Sequence, residues 1–122
     1  MRNTYGAEFH PDLKIPPDAI IIFKGVGFDE NGYSAFEGFV RNGVFLDKLL
    51  PIFSVEKVFI CGLATECCVK VTALDAIKKY KTFLLLDACR ALTTEGGKKA
   101  VEEMEKAGVI ITTTEEAMKI KI

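Results

Sequence analysis

"KVFICGLATECCVKVTALDA", residues 57–76, combines two periodicities, and the join between them decides the fold. Its first seven residues are almost continuously apolar, as expected of a strand that is buried on both faces of a parallel sheet. From Cys68 onward the pattern is helical, with one face formed by Val69, Ala73, Ala76, Ile77 and Tyr80. The stretch therefore predicts a strand, a turn from Gly62 and a helix that begins near Cys67 and Cys68.

The rest of the chain repeats this alternation of strand and helix. "TFLLLDAC" (82–89) and "VIIT" (109–112) predict two further buried strands, and "AIIIF" (19–23) predicts one in the first half. Strands that alternate with helices favour a parallel sheet with right-handed crossovers. We therefore expect an α/β fold with about four parallel strands, and a single domain over residues 1–122.

Helix ends are marked by residues with known capping roles. Thr93 or Thr94 is suited to cap the helix that follows the third strand, and Gly108 is suited to end it in the left-handed conformation. Thr113 and Glu116 have the spacing of a capping box, which predicts a short final helix.

Composition excludes several classes of function. The 122 residues carry a formal net charge of −1, with no basic block, so nucleic acid is a poor candidate partner. No apolar run approaches the roughly 18 residues of a membrane span, and the first residues do not resemble a signal peptide. We therefore expect a cytoplasmic protein.

The four cysteines do not have the spacing of a zinc site or a disulfide framework. Cys61, Cys67, Cys68 and Cys89 contain no C-x-x-C pair, and the single histidine, His10, is remote in sequence. Cys61 and Cys89 each stand inside an apolar strand-like run, so we expect both to be buried thiols.

Candidate catalytic residues fall where the predicted strands end. Lys24, the segment Gly62–Cys68 and Asp87 each follow or end a strand, and sites in open parallel sheets lie beyond the carboxyl ends of the strands. A cysteine at a helix start meets unpaired backbone N–H groups, which favour the thiolate, and a nearby lysine adds to the effect. Cys68 fits this better than Cys67, and the Ala64 and Cys68 amides could then form an oxyanion hole. The alternative is that Cys68 is a small buried residue under the helix.

Lys24, which follows the first predicted strand, also has two interpretations. It is either the solvated end of that strand or a functional ammonium group. The loop after this strand is rich in glycine and aromatic residues, which suits a flat apolar pocket for an aromatic ring, and its aromatic residues are Phe28, Tyr33, Phe36 and Phe39.

Four motifs, in this order, resemble the nicotinamidases within the isochorismatase-like cysteine hydrolases. They are "GAEFHPDL" (6–13), "FKGVGFDENGYSAFEG" (23–38), "GLATECCVKVTALDA" (62–76) and "LLLDACRA" (84–91). The resemblance implies a three-layer α/β/α fold. It also implies hydrolysis of nicotinamide to nicotinate and ammonia through a cysteine thioester, with pyrazinamide as a second substrate in many members.

The resemblance assigns roles to individual residues. Cys68 resembles the family nucleophile and Lys24 its catalytic lysine. The Leu63–Ala64 peptide falls where the family has a cis bond, and the Ala64 and Cys68 N–H groups would form the oxyanion hole. Tyr33 matches an aromatic residue beside the substrate ring, and Phe28 is expected in the same pocket.

The chain also departs from the family pattern. The family's catalytic aspartate and its ligands for a divalent metal (zinc, iron or manganese) precede the first motif, and this chain starts at Met1, a few residues before it. His10 matches a family histidine that is not a ligand. We therefore expect an N-terminally truncated domain that binds no metal by itself and has little turnover, since losing one member of a cooperating set is costly.

Missing strands would leave an exposed edge at 57–63, which is a template for pairing with another chain. We therefore expect a homo-oligomer, and the alternative function is a pseudo-hydrolase that acts as a binding or oligomerisation module. A thiol redox module based on adjacent Cys67 and Cys68 is a weaker alternative, because a disulfide between neighbours closes a strained ring.

Overall fold

The computed structural model describes residues 16–22, 34–38 and 43–120. Four helices and three strands follow one another in these ranges, together with a short 3₁₀ turn at Ala35–Glu37 and a π-helical turn at Thr65–Val69. The regular elements are α1 (Leu46–Ile52), β1 (Lys57–Leu63), α2 (Lys70–Ala76), β2 (Lys81–Arg90), α3 (Thr94–Lys106), β3 (Ile110–Thr112) and α4 (Thr114–Ala117).

The three strands form one sheet in the order β1-β2-β3, and both pairs are parallel. This arrangement confirms the parallel sheet that the alternation of strands and helices predicts. The register of β1 against β2 shifts between Ile60 and Gly62, so that Ile60 pairs with Leu84 but Gly62 pairs with Cys89. The irregularity lies at the carboxyl end of β1, where the chain turns into the helix.

The hydrophobic core lies between one face of the sheet and the helices α2 and α3. Its strand residues include Ile60 and Leu84, and its helix residues include Ala73, Ala100 and Met104. Small alanines on both helices let them approach the sheet closely. On the opposite face the rings of Phe59 and Phe83 stack at 4.7 Å, and α4 contacts β2.

The predicted helix ends are confirmed. The Thr93 hydroxyl accepts a hydrogen bond from the Gly96 N–H at 2.9 Å and caps α3. Gly108, just beyond the end of α3, has a φ of +108°. The Thr113 hydroxyl accepts from the Glu116 N–H at 3.3 Å and caps α4.

The predicted strand at 19–23 is wrong over residues 19–22. These residues have no strand conformation and are mostly exposed, with Ile20 at 50%. A strand is stable only when its backbone groups join a ladder, and no described residue pairs with this stretch. The Ala19 N–H instead closes a turn on the Pro16 carbonyl at 3.0 Å. Over the described residues the sheet therefore has three strands and not about four.

Among the described residues, no helix combines the length and the apolar character that crossing a membrane would require.

Candidate active site

The turn between β1 and α2 places Cys68 at the carboxyl end of the sheet. Gly62 has a φ of +120°, which favours glycine, and the Leu63–Ala64 peptide bond that follows is cis. The Ala64 carbonyl then accepts hydrogen bonds from the Cys67 N–H at 3.0 Å and the Val69 N–H at 3.2 Å. The second bond spans five residues and closes a π-helical turn, a geometry that is frequent at functional sites.

The helical segment begins earlier than the sequence pattern predicts. It starts at Thr65 and not near Cys68, because the turn after Ala64 is itself helical. The apolar stripe did not reveal this, since the π turn carries polar residues such as Glu66. Cys68 consequently lies inside the first turn of a continuous helical segment that ends at Ala76.

Cys68 is half-buried and borders a cleft of about 370 Å³. The cleft lies against β1 and is mostly apolar, and residues on its walls include Phe36, Leu46, Leu50, Phe59, Cys61, Leu63 and Thr72. Cys67, also half-buried, is not a wall residue of this cleft. Of the two adjacent cysteines, Cys68 is therefore the one that a ligand in the cleft would meet.

One wall of the cleft comes from the segment 34–38, which is fastened to α2. The Ala35 N–H donates to the Thr72 hydroxyl at 2.9 Å. Ser34 is fully buried, and its hydroxyl accepts from the Phe36 N–H at 3.1 Å. The Phe36 ring in turn stacks near Tyr80 with 6.4 Å between centroids. These contacts hold an aromatic ring in the same cleft as Cys68.

Glu66 is a residue of this region that the sequence analysis missed. Its carboxylate accepts hydrogen bonds from the Leu92 N–H at 2.8 Å and the Thr93 N–H at 3.0 Å. Hydrogen bonds lower the pKa of Glu66 below its ordinary value. The bond from the Leu92 N–H has the largest effect, and further hydrogen bonds, including those from Thr93, add to it. No local pattern pointed to these bonds, because their partners lie 26 and 27 residues away.

The expectation that Asp87 ends a strand is wrong, because β2 continues to Arg90, and the Asp87 carboxylate binds α4. It accepts from the Thr114 hydroxyl at 2.6 Å and from the Thr114 N–H at 2.9 Å. These two bonds, the hydroxyl first, lower the pKa of Asp87. Asp87 does not border the cleft that contains Cys68.

All four cysteines are free thiols, and the prediction that Cys61 is buried is wrong. Cys61 is exposed because side chains alternate along β1, which places it on the opposite face from the buried Ile60. Cys89 is half-buried, and its thiol donates to the Leu85 carbonyl at 3.3 Å. Burial is the main cause that raises the pKa of Cys89.

Several predicted site residues fall outside the part of the chain that the structure describes. They are Lys24, Phe28 and Tyr33, and His10, for which no site role is predicted, lies outside it as well. Within the described ranges, no group of three or more His, Cys, Asp or Glu side chains could hold a metal ion.

Comparison with known proteins gives consistent matches. The sequence profile of the Isochorismatase domain family matches residues 1–116. The nicotinamidase of Acinetobacter baylyi is 36% identical over 112 residues, which cover 89% of this chain and 52% of that protein. The chain thus spans about half the length of the curated relatives it matches.

Solved structures agree with the sequence matches. The pyrazinamidase of Pyrococcus horikoshii, solved in complex with zinc, is 43% identical and has a TM-score of 0.81 over 91% of this chain and 59% of that one. A protein from L. infantum, solved in complex with nicotinate, is 33% identical and also has a TM-score of 0.81, over 93% and 58% of the two chains. These matches confirm the predicted α/β fold class and the resemblance.

Proposed function

This chain belongs to the isochorismatase domain family, and on that premise we propose that it is a cysteine-dependent amide hydrolase that converts nicotinamide to nicotinate and ammonia. The observation that carries the proposal is that Cys68, beyond the carboxyl end of β1, lies on the wall of an apolar cleft that runs along this strand. The nicotinamidase and pyrazinamidase relatives name the class of substrate, a small heteroaromatic amide.

The proposed reaction is an acyl transfer to sulfur. The Cys68 thiolate attacks the carboxamide carbon, a C–S bond forms, and the carbonyl oxygen becomes an oxyanion near the Ala64 and Cys68 amides. The C–N bond then breaks, nitrogen takes a proton from a water molecule and ammonia leaves. The hydroxide that remains attacks the thioester carbonyl, the C–S bond breaks, and nicotinate and the thiolate are released while one proton passes to solvent. Lys24 would favour the thiolate by its charge.

The cleft suits a flat ring more than a highly charged substrate. Its walls are mostly apolar, and Phe36 offers an aromatic face. Tyr33 and Phe28 are assigned to the same pocket by their positions in the family motif. The described residues do not supply a set of ligands for the divalent metal that the family resemblance implies.

A probe that does not require turnover tests the nucleophile. Nicotinaldehyde carries the nicotinamide ring with an aldehyde in place of the amide, so attack by the Cys68 thiolate followed by protonation gives a thiohemiacetal. We expect saturable binding of nicotinaldehyde to the chain, and its loss in Cys68→Ala. The matched control is Cys67→Ala, which removes the neighbouring thiol and should leave binding intact. Ammonia release from nicotinamide is measured in parallel.

The results decide clearly. Saturable binding and ammonia release that depend on Cys68 and not on Cys67 support the proposal. Binding that survives Cys68→Ala would overturn the role of Cys68. The absence of both binding and ammonia release in the unmodified chain would overturn the proposed activity for this chain.

A second candidate function is that of an oligomerisation module, and exposed apolar side chains favour it. Ile52, Phe53 and Leu63 are 70%, 59% and 72% exposed, which is unusual for large hydrophobic residues. The partner would be a second copy of this chain. Light scattering that gives the mass of a defined dimer, converted to monomer by Leu63→Lys, would support this function, and a clean monomer at high concentration would exclude it.

A further inference from the structure

We propose that Glu66 is a positioning residue for Cys68, holding the π-helical turn in the conformation that presents the sulfur to the cleft. The inference rests on the proposed function, because it assumes that Cys68 is the nucleophile. It concerns a different group, however: a carboxylate that does not border the cleft and that the motif resemblance leaves without a role.

The geometry shows a two-point attachment. One carboxylate oxygen accepts from the Leu92 N–H at 2.8 Å and the other from the Thr93 N–H at 3.0 Å. Both donors belong to the connection between β2 and α3, and Thr93 is the residue that caps α3. Hydrogen bonds to an ionised acceptor are roughly twice as strong as neutral ones. The carboxylate therefore ties the turn that carries Cys68 to the first turn of α3.

Gly96 provides the space that this attachment needs. A Cβ atom at position 96 would lie 2.7 Å from the Glu66 Oε2 atom and 2.7 Å from the Thr93 hydroxyl oxygen. The carboxylate thus packs directly over the first turn of α3, where the positive end of the helix dipole favours a negative charge. Position 96 requires glycine because the Glu66 carboxylate and the Thr93 hydroxyl approach it closely, and not because of its backbone conformation.

Two contacts at one residue restrict the turn more than either alone. Glu66 precedes Cys68 by two residues, and both lie between the carbonyl of Ala64 and the N–H of Val69, which close the π turn. If the carboxylate were released, the turn could tighten to ordinary α-helical bonding, which would rotate Cys68 relative to the cleft. A misplacement of about 1 Å can cost on the order of 100-fold in rate.

The test compares three variants of the full chain. Glu66→Gln retains the size of the side chain, but its amide nitrogen cannot accept from an N–H, so one of the two bonds is lost. Gly96→Ala keeps the carboxylate and displaces it, together with the Thr93 hydroxyl that caps α3. Glu95→Gln is the matched control, because it removes an exposed carboxylate next to the same turn of α3. The readouts are the rate of iodoacetamide alkylation at each cysteine, resolved by peptide mass spectrometry, and kcat and KM for ammonia release.

We expect Glu66→Gln and Gly96→Ala to slow alkylation of Cys68 by roughly 10-fold or more and to lower kcat by a similar factor, with KM changed by less than about twofold. Alkylation of Cys61 and Cys89 should stay constant, as should every rate in Glu95→Gln. A purely structural role would change all the cysteines together. That result would overturn the inference. The inference would also be overturned if the rate of Cys68 alkylation in Glu66→Gln were within about twofold of the rate in the unmodified chain.

The two readouts, cysteine alkylation and ammonia release, distinguish a failure of this inference from a failure of the proposed function. If the unmodified chain neither binds nicotinaldehyde nor releases ammonia, the proposed activity fails, but the selective change in Cys68 alkylation still decides whether Glu66 positions the sulfur.

Discussion

The Thr72 hydroxyl accepts a hydrogen bond from the Ala35 N–H at 2.9 Å, which joins the segment that carries Phe36 to the helix that follows Cys68. Thr72 lies four residues after Cys68, so both are on neighbouring turns of one helical segment. Both residues also border the same cleft. The bond therefore sets the separation between the proposed nucleophile and the aromatic wall.

Replacing Thr72 by valine keeps the shape of the side chain and removes the acceptor. The Ala35 N–H would be left half-buried without that partner, which typically costs about 1–3 kcal/mol. We expect Thr72→Val to lower the free energy of unfolding by this amount, measured by urea denaturation, and to weaken binding of nicotinaldehyde. Thr72→Ser retains the oxygen, and its free energy of unfolding should remain within about 0.5 kcal/mol of that of the unmodified chain. Equal losses in the two variants would contradict the importance of the bond.

The core between α2, α3 and the sheet gives a second prediction. Met104 is fully buried, whereas Met118 is 87% exposed, so the same substitution can be made in two environments. Met104→Ala should lower the free energy of unfolding by about 2–5 kcal/mol, because it removes transfer energy and leaves a cavity.

Met118→Ala is the matched control and should change the free energy of unfolding by less than about 0.5 kcal/mol. Urea denaturation of both variants measures the difference. A loss at Met118 as large as that at Met104 would mean that the exposed residue at the end of α4 is covered in solution, which would favour the oligomeric module.

Most of the regular structure was predictable because its causes are local. The strand at 57–63 has its predicted bounds, and the caps at Thr93 and Thr113 use side chains within three residues of their partners. The residues at 19–22 show where local reasoning fails. Their apolar composition is that of a strand, but a strand also needs a neighbour, and composition cannot show whether one is available.

The site was less predictable because it, too, depends on hydrogen-bond partners that the local sequence does not show. The position of Cys68 after β1 follows from the order of strand, turn and helix. The π turn does not, because it depends on a hydrogen bond from Val69 to Ala64 that competes with ordinary helical bonding. The role of Asp87 does not follow either, since the apolar run does not show where the strand ends, and only the folded chain brings Thr114 to this carboxylate.

Asp87 gives a prediction that depends on pH. The folded chain holds its pKa below the ordinary value of 3.8, through the Thr114 hydroxyl first and then the Thr114 N–H. A carboxyl group with a lowered folded pKa contributes stability that is present above its unfolded pKa and is lost as the pH falls through its folded pKa. We therefore expect the carboxylate to stabilise α4 at neutral pH and to cease doing so only in acid below about pH 3.8.

Carbon NMR titration of the Asp87 carboxyl group measures this effect. Thr114→Val removes the hydroxyl donor and should move the pKa of Asp87 up toward 3.8, while Thr114→Ser keeps the donor and should leave the pKa low. An Asp87 pKa that is the same in both variants would mean that the hydroxyl is not the main cause.

Gly62 tests whether the backbone before the π turn controls the sulfur. Its φ is +120°, and a Cβ built there meets nothing within 4 Å, so any effect of Gly62→Ala comes from backbone conformation and not from crowding. Such conformations cost a residue with a side chain on the order of 1–3 kcal/mol. We expect Gly62→Ala to lower the free energy of unfolding within this range and to slow alkylation of Cys68.

Gly43 supplies the matched control, because it has a φ of +90° and equally open surroundings, and it lies before α1 rather than at the turn. Gly43→Ala should cost a similar free energy and leave the Cys68 alkylation rate unchanged. If both variants slow Cys68 equally, the effect is general destabilisation. If only Gly62→Ala does so, the path from the end of β1 through the π turn is what sets the reactivity of the thiol.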